Sequence, residues 1–113
     1  MAITTGNSNN GVLVLVTDTT LITSAAATRR VITFASLHEQ TGAAETVELF
    51  ISTDSASAAG ERLDTLTFAA NETIQPASLF GLAIPAGSYV IGKGTTGSLV
   101  ECNITTTLYT GAS

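Results

Sequence analysis

The stretch Thr46–Thr53, TVELFIST, alternates with a period of two: Val47, Leu49 and Ile51 point one way, and Thr46, Glu48, Phe50 and Ser52 the other. That is a β-strand with one face on a core, and Phe50 is its exception. Upstream, Arg30–His38 (RVITFASLH) is a second long strand, closed by a turn at Thr41-Gly42. Downstream, Asp54–Glu61 (DSASAAGE) is a loop of small residues, and Leu63, Leu66 and Phe68 anchor the next strand. Asn71–Gln75 and Leu79–Ile84 follow, then Pro85-Ala86-Gly87, where Pro presets φ for a tight turn. Ser88–Lys93 leaves that turn as a strand, and Leu99–Tyr109 sets Val100, Cys102, Ile104 and Leu108 on one face. Nearer the N-terminus, Val12–Thr17 (VLVLVT) is apolar and β-branched at alternate positions. Nowhere do apolar residues keep helical spacing over three turns. The spacing predicts an all-β chain: an antiparallel β-sandwich or jelly roll of about eight strands, one domain over 12–113. Met1–Gly11 reads as a polar N-terminal arm, disordered by itself.

Charged residues make up 12% of the 113 residues, where a soluble domain carries about 25%. Thr (20), Ser (10) and Asn (5) take their place, so the exterior is polar but uncharged. Four basic residues against nine acidic ones give a net charge of -5, which excludes a nucleic-acid wrapper, since phosphate binding needs clustered Lys and Arg. The first residues lack a basic and then apolar leader, and no apolar run is long enough to span a membrane. The expectation is a protein made in the cytoplasm, with neither nucleic acid nor membrane as partner.

Catalytic chemistry has little to build on. His38-Glu39 is the one adjacent His-carboxylate pair, with no nucleophile or third orienting group beside it. Cys102, the single cysteine, falls on the inward face of the last strand and reads as a buried structural thiol. Asp54, Glu61 and Asp64 lack the dense oxygen spacing of a calcium loop, and Gly92–Gly97 (GKGTTG) lacks the order of a phosphate loop. There is no Trp, and Tyr89 and Tyr109 alternate with apolar neighbours as half-buried packing does. The sequence therefore predicts no catalytic residue, no cofactor and no metal.

Surfaces remain. Interface cores are depleted in Lys, Glu and Asp, and this chain has a single Lys. A homo-oligomer is expected, a trimer favoured. The candidate interaction residues are Ile3 in the arm, Val12, Val14 and Val16 in the apolar strand, and the basic pair Arg29 and Arg30. The arm would dock on a partner through backbone hydrogen bonds and Ile3, with Val12–Val16 extending the contact.

The order of features from residue 29 to 109 resembles small β-sandwich structural proteins of tailed bacteriophages. The residues that carry the resemblance are Arg29–Leu37 (RRVITFASL), Glu45–Ser52 (ETVELFIS), Ala70–Ile74 (ANETI), Ile84–Ile91 (IPAGSYVI) and a closing Thr-rich strand. The resemblance implies a non-enzymatic virion component assembled in the host cytoplasm, with no signal peptide. It would be a capsid decoration (cement) protein bound to the major capsid protein or to neighbouring subunits, or a tail, neck or fibre subunit. The rival class is a receptor- or carbohydrate-binding sandwich module. An exposed aromatic patch would favour that rival, and a flat Thr/Ala surface would favour assembly.

Overall fold

The computed structural model describes residues 2–14, 17–57, 60–96 and 99–110, with the side chains of Val14 and of 17–57, 60–96 and 99–109. The described residues form nine strands: β1 (Ala2–Val14), β2 (Thr19–Thr23), β3 (Thr28–Glu39), β4 (Glu45–Ser52), β5 (Glu61–Phe68), β6 (Thr73–Ile74), β7 (Ala83–Ile84), β8 (Tyr89–Gly94) and β9 (Val100–Thr110). They form two antiparallel sheets. One has five strands in the order β1-β9-β3-β6, with β7 also on β3; the other has four in the order β2-β8-β4-β5. The chain is an all-β sandwich.

Bulges decide which side chains face inward. Thr33 is an extra residue in β3, because Ile32 pairs Thr106 while Phe34 pairs Thr105. Ile32, Ala35 and Leu37 are therefore buried, while Phe34 turns outward. Leu21 is the extra residue of β2, and it lets both Leu21 and Ile22 reach buried positions. The expected inward set of β4 and β9 is in place: Val47, Leu49, Val100, Cys102 and Ile104 are buried. Ile51 and Leu108 are only half-buried.

Phe68 is the largest fully buried side chain, and it joins Leu66, Leu79 and Ile84 in the same core. Gly92 of β8 faces the other sheet. A Cβ there would come within 3.1 Å of Leu21 Cδ1 and 3.3 Å of Val14 Cγ1, so the missing side chain is the space those two fill.

The polar segment expected to be an N-terminal arm docked on a partner is, from Ala2 onward, the greater part of β1. It pairs with β9 from Ala2–Thr110 to Val14–Val100, with extra residues at Ser8 and Gly11. The composition of the segment misled because strand pairing satisfies backbone groups whatever the side chains are. The two antiparallel sheets are the sandwich arrangement, which a jelly roll shares.

Candidate functional site

Two buried carboxylates lock one end of the sandwich. Glu39, the last residue of β3, is fully buried. Its Oε2 accepts from the Thr41 N–H (2.8 Å) and hydroxyl (2.7 Å), and its Oε1 from the N–H groups of Gly42 (2.7 Å), Ala43 (3.0 Å) and Asn71 (3.4 Å). Burial by itself would raise its pKa; the bonds from Thr41, Asn71 and Ala43 outweigh that and lower it from 4.5 to about 2. Glu45, the first residue of β4, accepts at Oε1 from the N–H groups of Thr46 (2.7 Å), Thr95 (3.1 Å) and Thr96 (3.0 Å), and from both threonine hydroxyls. Its Oε2 is buried and has no hydrogen-bond partner among the described residues. Burial again opposes ionisation, and the bonds from Thr46, Thr96 and Thr95 again prevail, so this carboxyl too is held below its usual range.

Both groups hold loops through the bonds they accept. A depressed pKa contributes stability that is present at neutral pH and lost as the carboxylate protonates, here from about pH 4.5 down toward 2. Glu39→Gln should therefore melt below wild type at neutral pH, and the gap in thermal melts should close as pH falls toward 2. A gap that stays constant over that range would mean the charge of Glu39 does not hold the loop.

His38 and Glu39 are neighbours in β3 and so point to opposite faces. The Nδ1 of His38 lies 2.7 Å from the hydroxyl of Thr73 on β6. The pair makes no site. Cys102 is buried in the core, and burial pushes its thiol up to about 12. Asp54 caps its own loop through Ser52 and Ala56, while Asp64 accepts from Ser78 at 2.8 Å, so the acidic residues of this region are engaged separately. Among the described residues no group of three His, Cys, Asp or Glu side chains could hold a metal ion. An open cleft of about 370 Å³ lies at the other end of the sandwich, lined by Ile51, Ser52, Thr53, Gly60, Glu61, Pro85 and Ser88. Glu61 is its one titratable group among the described residues.

The broad outer face belongs to β3 and β9. Along it Arg29 lies opposite Tyr109, Val31 opposite Thr107, Phe34 opposite Thr105, Ser36 opposite Asn103 and His38 opposite Glu101. The Arg29 guanidinium sits 4.9 Å from the centroid of the Tyr109 ring. Phe34 packs edge-to-face on Phe80, with ring centroids 6.1 Å apart, and each residue is 40% exposed. Neither phenylalanine stood out in the sequence. The bulge at Thr33 exposes the first, and the turn around Gly81, whose N–H bonds the Ile32 carbonyl at 2.8 Å, brings the second beside it.

The candidate interaction residues separate. Arg29 is exposed on the outer face, whereas Arg30 turns inward and is half-buried, its Nη1 donating to Thr106 Oγ1 (3.0 Å) and its Nε to the Thr23 carbonyl (3.1 Å). The two arginines form no basic patch, because adjacent strand residues alternate faces. Val14 is core, not surface: its register opposite Val100 turns it inward onto Leu21 and Gly92. Ile3 and Val12 hold backbone register opposite Tyr109 and Cys102, and their side chains lie outside the described residues, as does all of Val16.

The edges differ in kind. β1 has one strand partner, β9, among the described residues, and its thirteen residues (AITTGNSNNGVLV) include neither a charge nor a proline. β5, the edge of the second sheet, carries Glu61, Arg62 and Asp64, and Arg62 pairs with Glu48 at 3.1 Å. β2 is five residues long and bulged, and β6 and β7 have two residues each. No protein-family model, curated protein or solved structure matches the chain.

Proposed function

We propose that the protein is a non-enzymatic structural subunit of a tailed-bacteriophage virion, most specifically a capsid decoration protein that joins the shell protein and neighbouring copies of itself. A tail, neck or fibre subunit would use the same surfaces. The observation that carries this reading is the uncharged, thirteen-residue edge of β1, since sandwich proteins that act alone guard such edges with charge, proline or brevity. The carboxylates that the fold has drawn out of solvent are engaged by loop donors, and the resemblance over residues 29–109 points to an architectural role. Quantitative mass spectrometry of purified particles is the test. A fixed, high copy number per particle is the expected result, together with blank screens on esterase, glycosidase and peptidase substrates. Absence from particles, or a turnover abolished by His38→Ala, would overturn the reading.

The exposed Phe34–Phe80 pair favours a second reading, a receptor- or carbohydrate-binding module, because an exposed aromatic pair beside hydroxyl and amide side chains suits a sugar face. Glycan-array binding lost in Phe34→Ala/Phe80→Ala would select this reading over the first.

A further inference from the structure

We propose that two copies of the chain join along β1, antiparallel and two-fold, so that their five-stranded sheets become one continuous sheet. This deepens the structural reading above and rests on it for its biological setting. β1 is the longest strand among the described residues and lies at the edge of its sheet. Every other edge among the described residues carries a device that discourages pairing: charges on β5, shortness and a bulge on β2, two-residue length on β6 and β7. β1 has its two extra residues, Ser8 and Gly11, but no charge, in a chain whose net charge is -5. Among the described edges β1 is the long uncharged one, so an approach along it brings two acidic copies together over many residues without like charges on either strand. An edge that finds its complement only in itself closes after two copies. The symmetry it gives is two-fold, in place of the three-fold expected from composition.

The strand itself gains from the second partner. Residues 2–10 are polar or small apart from Ile3, so ordering them has little apolar burial to offset it. The backbone is fixed once, whereas a second ladder adds hydrogen bonds on the other side at no further backbone cost.

Eleven residues of β1 pair with β9, and Asn7 is the sixth of them, so a fully overlapped two-fold pairing is centred there. Counting outward along the paired positions sets Thr5 opposite Asn10 of the other copy, and Ile3 opposite Leu13. Thr5, Asn7 and Asn10 hold backbone register opposite Thr107, Thr105 and Asn103, the outer-face row of β9.

Sedimentation of the full chain at micromolar concentration should give a dimer. Thr5→Lys/Asn10→Lys sets like charges opposite each other twice and should weaken the dimer by roughly tenfold or more, whereas Thr5→Lys/Asn10→Glu should keep it. Asn7→Cys should form an intermolecular disulfide on mild oxidation, and Thr65→Cys, on the charged edge of β5, should not. Cys102 is buried and stays out of the reaction. A wild-type monomer at all concentrations, equal behaviour of the two charge variants, or no cross-link through Asn7→Cys would each overturn the pairing. The cross-link keeps the test decisive if a lysine variant fails to fold. A monomer that still enters particles removes the pairing and leaves the structural role standing, while a dimer absent from particles does the reverse.

Discussion

Val14→Asp should unfold the protein rather than disarm an interface. Val14 is 0% exposed, with Leu21 and Gly92 of the opposite sheet against it, so the new carboxylate would have neither water nor a cation. An uncompensated buried charge costs about 3–5 kcal/mol, against a total stability of about 5–15 kcal/mol for an ordinary domain. Circular dichroism and urea unfolding are the measurements. Loss of the folded baseline at neutral pH is expected. A stably folded variant that only fails to associate would return Val14 to the surface, where the apolar run VLVLVT had placed it.

Phe68→Ala should come close to that effect by a different route. Phe68 is the largest side chain with no exposed area, and it sits at the end of β5 in the same core as Leu66, Leu79 and Ile84. Removing it forfeits the transfer energy of the ring and leaves a cavity walled by both sheets, a loss of about 3–5 kcal/mol in urea unfolding. Phe50→Ala, on the other face of β4 and half-buried, is the control and should lose clearly less. Equal losses would mean that the two faces of the β4–β5 pair have been exchanged.

The sequence made the strands legible wherever apolar residues repeat with period two. TVELFIST is β4 within a residue, and the turns at Thr41-Gly42 and Pro85-Ala86-Gly87 fall where their residue types require, with Gly42 and Gly87 at φ of 81° and 76°. Bulges were not legible. One extra residue at Thr33 reverses the faces of the half-strand beyond it, which is why RVITFASLH gave no warning that Phe34 is exposed. Nor was the burial of Glu39 and Glu45, because most of their partners are backbone N–H groups, which any sequence supplies. The N-terminal segment is the largest departure. Its side chains carry no pattern, and its strand character comes from β9 alone.

That departure bears directly on assembly. Fixing the backbone costs about 1–2 kcal/mol per residue, and a backbone hydrogen bond returns about 0.5–1.5 kcal/mol net. Paired on one side only, a strand as polar as residues 2–10 sits near balance; paired on both, it is firmly ordered. The stability of β1 is thus expected to depend on association, while that of the core does not.

Amide hydrogen exchange along β1, compared between the dilute chain and the associated one, tests this most directly. Residues 2–10 should exchange quickly on dilution and become strongly protected on association, with β5 unchanged as the reference edge and the core of β3 protected throughout. Exchange in β1 that is the same in both states, whether fast or slow, would contradict assembly through this edge.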